Sequence, residues 1–241
     1  DVPLEPERKM PMTHTASRVN LIAGKIGAKK YLEVGVFGGH TFHNVQIENK
    51  VAVDPRFRFD YRKLATDNVQ YFEVKSDDYF LYHCHNEDFD IIFLDGLHTF
   101  EQTLRDFVNS LSHSHQDTIW IIDDVVPSDV FSTERSFSEA VRLRKESGGG
   151  DSRDWHGDVF KVIFAIHDIF PKFSYVTLGG GASAQTIIYR KPRENFEPLF
   201  ESLQNIAGMS YIDFLKNRKI MNESDEKEAL ATVLQAVHSK K

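Results

Sequence analysis

The sequence of 241 residues has very little cysteine and no excess of basic charge. Its single cysteine, Cys84, excludes an intrachain disulfide framework and a zinc site built on cysteines, and it fits a reducing, cytoplasmic setting. The 29 Lys and Arg residues are outnumbered by 36 Asp and Glu residues, which gives a formal net charge of −7. We therefore expect no nucleic-acid partner, because proteins that bind nucleic acids present a basic surface.

Long apolar runs are absent as well. The longest, at residues 162–166, is far shorter than the roughly 20 residues that span a bilayer. Residues 1–10, DVPLEPERKM, are charged, contain two prolines and lack an apolar stretch, so we expect no secretory signal there and no membrane partner. Apolar residues make up 41% of the chain and charged residues 27%, proportions that indicate a folded globular domain.

Five short apolar runs alternate with amphipathic segments in the first half of the chain. Runs of this kind, without strict polar alternation, are typical of strands buried on both faces of a parallel sheet. They lie at 30–36, 50–54, 70–74, 90–94 and 118–122. Strands that alternate with helices predict an α/β fold with a doubly wound sheet.

Two helical patterns lie between these runs. The first, at 14–26, has one apolar face made of Ala16, Val19, Leu21, Ile22 and Ile26. The second, at 99–111, has one made of Phe100, Leu104, Phe107, Val108 and Leu111. Thr99 is the expected N-cap of the second helix.

The last third of the chain has a different pattern. Runs at 173–178 and 185–190 are joined by GGGASA, a short link that permits an antiparallel hairpin. The tail at 194–241 has the pattern of charged helices, with Leu199, Phe200, Leu203 and Ile206 on one stripe. We expect a single domain over 1–241, with a core at about 15–190 and C-terminal helices at 191–241 that mediate homo-oligomer contacts. The polar, glycine-rich segment 146–154 is a candidate lid.

The first predicted strand ends in a glycine-rich turn, EVGVFGGHT at 33–41. Gly35 and Gly38 allow a ligand to approach the backbone closely, and the helix expected to follow could meet an anion or a carboxylate. Glu33 stands where the dinucleotide pattern GxGxxG has its first glycine, which disfavours a nicotinamide dehydrogenase. An acid there suits a ligand with a cationic amine, and a plain strand-to-helix turn is the alternative.

Acidic residues follow three other predicted strands. Asp54 ends the second, where an acid commonly binds ribose hydroxyls, although Asp54-Pro55 also suits a simple turn. Asp95 ends the fourth, and Asp123 and Asp124 end the fifth. Because the carboxyl ends of parallel strands meet at one sheet edge, these acids would repel one another unless a divalent cation such as Mg²⁺ lies between them. Turn or cap formation is the alternative for each acid.

Three further places carry candidate site residues. His98 lies three residues after Asp95 and is a candidate general base, or a structural or substrate-contacting residue. Ser76 and Asp77 follow the third strand and could touch a nucleobase or form a turn. Trp155 and Lys161 could supply an apolar wall and a cation, or simply begin a helix.

Taken together, these segments resemble a class I S-adenosylmethionine-dependent methyltransferase of the small-molecule group that acts on sugars and natural products. The resemblance covers roughly 15–190, and its most specific part is DGLHTFEQTLRD at 95–106. It also rests on EVGVFGGHT at 33–41, VAVDP at 51–55, VKSDDYF at 74–80, IIDDVVP at 121–127 and WHGDVFK at 155–161.

The resemblance implies a mostly parallel seven-stranded sheet whose last strand is antiparallel. It assigns S-adenosylmethionine binding to Glu33, Gly35, Val36, Phe37, Gly38, Thr41, Asp54, Pro55, Ser76, Asp77 and Asp95. It assigns a divalent metal, Mg²⁺ in the first place, to Asp95, Asp123 and Asp124. Asp95 and His98 become the catalytic residues, since His98 occupies the position of the lysine base in the catechol type.

Two positions depart from the family pattern: Asp123 stands where closer relatives carry His, and Phe160 where they carry Trp. We expect Mg-assisted O-methylation of a small acceptor with a hydroxyl, such as a sugar, a phenol or a natural product. A metal-independent methyltransferase and a non-catalytic cofactor-binding interaction protein are the alternatives.

Overall fold

A computed structural model describes residues 11–85, 87–179 and 184–238, and it shows one mixed sheet with helices on both faces. The strands are β1 Lys30–Val34, β2 Asn49–Val53, β3 Val69–Phe72, β4 Phe89–Leu94, β5 Ser114–Ile122, β6 Phe173–Leu178, β7 Thr186–Arg190 and β8 Glu223–Ser224. Their order is β3-β2-β1-β4-β5-β7-β6-β8. Strands β1 to β5 are parallel to one another, and β7 is antiparallel to both β5 and β6. The predicted α/β class, with a mostly parallel sheet and one antiparallel strand, is confirmed.

The sheet has eight strands in the described residues rather than the seven that we expected. The additional strand, β8, consists of two residues and pairs with β6 in parallel. Asn222, just before it, adopts a left-handed backbone with φ 51° and donates its side-chain amide to the carbonyl of Tyr175. Two polar residues held in this way have no hydrophobic pattern, which is why the sequence did not reveal this strand.

The helices are α1 His14–Ile26, α2 Ser76–Tyr82, α3 Phe100–Ser110, α4 Phe137–Glu146, α5 Phe160–Ile169, α6 Leu203–Ala207, α7 Tyr211–Lys216 and α8 Glu226–His238. Among the described residues, none of these helices combines the length and the apolar character needed to cross a bilayer. The predictions for residues 1–10 and for most of the glycine-rich link, 180–183, lie outside the described residues.

Two apolar cores lie on opposite faces of the sheet, and the central strands contribute side chains to both. Along β4, Ile91 and Phe93 belong to the core beneath α1 and α8, whereas Ile92 and Leu94 belong to the core beneath α3 and α5. Successive side chains of a strand point to opposite faces, so a strand buried on both sides must be apolar throughout. This explains the uninterrupted apolar runs of the sequence.

Helix α3 begins at the expected position but is capped differently. The side chain of Thr99 makes no capping hydrogen bond. The first free backbone N–H, that of Phe100, instead donates to Asp158 Oδ1 at 2.7 Å, from 58 residues further along the chain. The predicted apolar faces also need correction at Leu21 and Val108, which are exposed on α1 and α3.

The C-terminal segment differs from the helical tail that we expected from residue 194 onwards. From residue 194 to 202 the described chain forms no helix, and the backbone N–H groups of Leu199 and Phe200 donate to the Asp168 carboxylate. Of the predicted stripe, Ile206 is buried, whereas Leu199 and Leu203 are exposed. Helix α8 packs against α1, β6 and β7 and contributes buried residues to one of the two cores.

Candidate active site

A cleft of about 830 Å³ opens at the carboxyl ends of the parallel strands. The ladder hydrogen bonds continue to the strand tips, where Asp95 N donates to the carbonyl of Val34 and Asp123 N donates to that of Leu94. Topology therefore brings together residues that are far apart in sequence. Lys161 does not line this cleft, whereas the predicted cofactor-binding, metal and catalytic residues do: Glu33, Gly35, Val36, Phe37, Gly38, Thr41, Asp54, Pro55, Ser76, Asp77, Asp95, His98, Asp123 and Asp124.

The turn after β1 requires glycine at Gly35. Its φ is +87°, and a Cβ placed there would lie 1.8 Å from the carbonyl oxygen of Asp95. We expected an α-helix directly after this turn, and this expectation was wrong. The described residues that follow it, Phe42–Asn44, form only a single 3-10 turn.

Asp54 holds this turn in place. Its Oδ2 accepts hydrogen bonds from the backbone N–H groups of Val36 at 2.9 Å and Phe37 at 2.8 Å, and its Oδ1 accepts one from Arg56 at 2.7 Å. These bonds support a left-handed backbone at Phe37, where φ is 47°. Three of the roughly four lone-pair positions of the carboxylate are thus in use, and one remains for a ligand hydroxyl.

Glu33 is a buried acid at the base of the cleft. Its Oε2 accepts a hydrogen bond of 2.6 Å from the Tyr31 hydroxyl. Burial, followed by repulsion from Asp95 and Asp123, outweighs the lowering effects of Tyr31 and Lys50 and raises the pKa of Glu33 to about 8. A cationic ligand that approached this carboxyl would favour its ionised form.

Asp95, His98 and Asp124 form a polar cluster. His98 Nε2 lies 3.3 Å from Asp95 Oδ1, and Nδ1 lies 3.0 Å from Asp124 Oδ2. Burial by itself lowers the pKa of His98, but the two carboxylates outweigh it and raise that pKa to about 10. Burial and the nearby charge of Asp124 raise the pKa of Asp95 to about 6, against the lowering effect of His98.

The donor set of this cluster fits a divalent cation. Asp95, His98 and Asp124 each offer one ligand atom, and these atoms lie within 4.8 Å of one another. His98 Nδ1 is buried and, within the described residues, has no aligned hydrogen-bond partner, even though a carboxylate oxygen lies beside it. A bound cation would offset the repulsion between the carboxylates of Asp95 and Asp124.

Asp123 lies beside this cluster, outside that set of ligand atoms. Its Oδ1 accepts from the backbone N–H of Asp124 at 2.9 Å, and its Oδ2 accepts from Gln185 Nε2 at 3.0 Å. Burial and repulsion from Asp95 and Asp124 raise the pKa of Asp123 well above its ordinary value. Its predicted role as a metal ligand stays a prediction.

The segment 155–157 packs directly on His98. The Trp155 ring stacks on the imidazole at a centroid distance of 4.6 Å and an interplanar angle of 16°. Gly157 has φ +60°, and a Cβ there would lie 1.7 Å from the His98 carbonyl oxygen. His98 itself has φ 40°, so its backbone strain is supported from outside its own loop.

Two other predicted contributors to the site, Lys161 and the segment 146–154, make hydrogen bonds within the protein itself. Lys161 is buried and donates to Asp158 Oδ2 at 3.0 Å and to the carbonyl of Ala207 at 2.7 Å. The segment 146–154 is exposed, and Arg144 donates to the carbonyls of Ser152 and Asp154. Its role as a lid stays a prediction.

Comparisons with known proteins fit this geometry. Residues 32–125, from β1 to just after β5, match a family described as "Methyltransferase domain". No curated protein sequence matches the chain significantly.

Several solved structures share the fold. An O-methyltransferase from Bacillus cereus in complex with SAH is 16% identical, with a TM-score of 0.50, and the alignment covers 76% of this chain and 84% of that one. The SAH-bound methyltransferase PaMTH1 from Podospora anserina is 17% identical, with a TM-score of 0.50 and coverages of 78% and 82%. Cofactor-bound Rv0187 from MTB is 14% identical, with a TM-score of 0.53 and coverages of 77% and 84%.

At these identities the likeness shows the fold alone.

Some lining residues escaped the sequence reasoning. Gln102 Nε2 lies within hydrogen-bond distance of Ser76 Oγ, Asp77 Oδ1 and Asp106 Oδ1, which ties α3 to the start of α2. The i, i+4 spacing of Gln102 and Asp106 within α3 was a signal that could have placed both on the cleft side. His40, Lys75 and Leu97 also line the cleft, and no pattern in the sequence singled them out.

Proposed function

We propose that this protein is an S-adenosylmethionine-dependent methyltransferase that methylates the hydroxyl of a small acceptor with the help of a divalent ion. The observation that carries the proposal is that one cleft unites the turn after β1, Asp54 at the end of β2 and the Asp95–His98–Asp124 cluster. The match of residues 32–125 to a methyltransferase domain supports it.

The cofactor end of the cleft is assigned to residues of the first three strand tips. Glu33 and the turn residues Gly35 to Gly38, with Thr41, would hold the methionine part of the cofactor, the carboxyl of Glu33 facing its amine. Asp54 has one lone-pair position free for a ribose hydroxyl, with Pro55 beside it. Ser76 and Asp77 would adjoin the adenine. When bound, S-adenosylmethionine supplies a methyl group on a positively charged sulfur.

Asp95 and Asp124 are assigned to the divalent ion. Their two carboxylates supply the oxygen ligands that hard cations prefer, which is why Mg²⁺ is the first candidate. When bound, such an ion lowers the pKa of an acceptor hydroxyl and helps to align it. The acceptor would be a small hydroxylated molecule such as a sugar, a phenol or a natural product.

We assign to His98 the role of the base that accepts the proton of the acceptor hydroxyl. Since Nδ1 is buried, Nε2 is the nitrogen left to accept it. In the protein alone, the two carboxylates keep the pKa of His98 at about 10, so the ring is protonated at neutral pH. Neutralising those carboxylates removes the cause of the raised pKa and allows His98 to act as a base. Trp155 keeps the ring fixed during the transfer.

The test is transfer of a radiolabelled methyl group from S-adenosylmethionine to catechol and to a methyl glycoside, with and without Mg²⁺. Replacing His98→Asn should lower kcat by about 100-fold or more, as expected for loss of a general base. The same variant should keep the affinity for S-adenosylmethionine within about threefold, because His98 lies outside the cofactor end. Unchanged kcat in His98→Asn would remove His98 from the mechanism.

A metal-independent methyltransferase is a second candidate, and one observation favours it. The protonated His98 lies within 3.3 Å of both carboxylates and can itself balance their charge. Under this hypothesis, turnover persists after dialysis against a strong chelator. Loss of turnover on dialysis, with recovery when Mg²⁺ is returned, contradicts it.

A further inference from the structure

We propose that Asp123 is a positioning residue for Asp124, the inner end of a buried hydrogen-bond relay that starts on the C-terminal helix α8. The relay runs through Glu226, Arg18, Gln185 and Asp123 to the backbone of Asp124. This inference rests on the proposed function, since it concerns how that site is held together.

The inner end of the relay fixes an unusual backbone. Asp124 has φ 58°, in the left-handed region that non-glycine residues seldom adopt. Its N–H donates to Asp123 Oδ1 at 2.9 Å, within the same turn. This conformation leaves Asp124 Oδ2 3.0 Å from His98 Nδ1. Asp123 therefore acts on the cluster through the backbone of Asp124.

Gln185 dictates which way Asp123 is held. This fully buried side chain accepts at Oε1 from the Arg18 guanidinium, a group that has donors only. The amide orientation is therefore fixed, and Nε2 must donate to Thr15 Oγ1 at 2.9 Å and to Asp123 Oδ2 at 3.0 Å. Both oxygens of Asp123 thus have donors before any ligand arrives.

The outer end of the relay lies on α8. Arg18, on α1, is buried and donates from Nε to Glu226 Oε1 at 2.8 Å, across 208 residues of sequence. Glu226 opens α8, and its side chain is half exposed. The relay thus connects α8, α1, the residue before β7 and the turn after β5, so the C-terminal helix supports the cluster.

A charge swap separates positioning from ligation. In Asp123→Asn, one oxygen must serve two donors, and the new amide faces either Gln185 or the Asp124 N–H. Gln185→Glu alone sets two carboxylates against each other. The double variant Asp123→Asn/Gln185→Glu restores every bond of the relay. The carboxylate introduced at position 185 can accept from Arg18 and from the amide introduced at position 123, and the carbonyl oxygen of that amide can accept from Asp124 N.

The four proteins of this cycle are compared in two measurements. Hydrogen exchange of the Asp124 amide, followed by NMR, reports the positioning bond without any ligand. Electron paramagnetic resonance of Mn²⁺ reports the affinity of the cluster. We expect Asp123→Asn to lose amide protection and to bind Mn²⁺ about tenfold more weakly, and the double variant to return within about threefold of the wild type in both.

Restored amide protection with Mn²⁺ affinity still reduced tenfold would overturn the proposal, because Asp123 would then be a ligand itself. Asp124 amide protection that is unchanged in Asp123→Asn would overturn it as well. If Asp123→Asn does not fold, the double variant decides by the same two measurements. If the wild type binds no Mn²⁺, the metal part of the proposed function fails, and the exchange of the Asp124 amide alone decides on the relay.

Discussion

Glu33→Gln should change the pH dependence of folding stability. Glu33 is fully buried, and its pKa rises from 4.5 to about 8 in the folded protein. The folded state therefore binds a proton more tightly than the unfolded state, so this residue lowers the stability of the wild type as the pH rises from 4.5 to 8. A glutamine keeps the shape and an oxygen for the Tyr31 hydroxyl, and it does not ionise.

The size of the effect follows from the two pKa values. Each pH unit between them is worth about 1.4 kcal/mol, so burying the ionised carboxylate costs about 5 kcal/mol at pH 8 and above. Between pH 5 and pH 8 the stability of Glu33→Gln should rise by about 4 kcal/mol relative to the wild type. Any cost of burying the glutamine N–H groups moves the whole curve and leaves this slope unchanged.

The assay is chemical denaturation of both proteins at intervals from pH 5 to pH 8, without cofactor or divalent ions. Glu48→Gln, at an exposed position, controls for the loss of one negative charge. A difference between wild type and Glu33→Gln that stays constant within about 1 kcal/mol across this range would refute the reasoning, because burial would then not have raised the pKa.

Other predictions concern the supports of the site. Gly157→Ala should lower the free energy of unfolding by at least about 2 kcal/mol, because its Cβ would overlap the His98 carbonyl, whereas Gly150→Ala, also at positive φ but without neighbours, should cost only about 1 kcal/mol. Equal losses in denaturation curves would contradict this. Asp158→Ala should lower the free energy of unfolding by about 3–5 kcal/mol, because it leaves the buried Lys161 without its carboxylate and removes the cap of α3. Thr99→Ala should lower it by less than about 0.5 kcal/mol, because the Thr99 side chain makes no capping hydrogen bond. A larger loss for Thr99→Ala would reverse that assignment.

The fold was predictable where burial imposes a pattern. The runs around β4 and β5 are apolar throughout because both faces of these strands are buried, and that demand is visible in the sequence. Strand β8 could not be predicted in this way, because backbone hydrogen bonds to β6 and the left-handed Asn222 hold it without any apolar side chain. The cap of α3 was also hidden, because Asp158 lies 58 residues from Phe100.

The sequence indicated which residues share the candidate site, but it did not indicate the contacts between them. Strand-end acids such as Asp95 and Asp124 share a sheet edge in any parallel fold, so their meeting follows from topology. No pattern in the sequence indicates that Trp155 stacks on His98, nor that Gln185 holds Asp123, since both contacts depend on tertiary packing across more than 50 residues. These long-range contacts decide the conformation of the cluster.

The central claim is tested most directly by calorimetric titration of S-adenosylmethionine into metal-stripped protein, repeated with Mg²⁺ and with Asp124→Ala. We predict that the wild type binds the cofactor, that it has a separate Mg²⁺ site, and that Asp124→Ala loses only the latter. Cofactor binding without a Mg²⁺ site would favour the metal-independent enzyme. Folded wild-type protein that binds no S-adenosylmethionine would contradict the account.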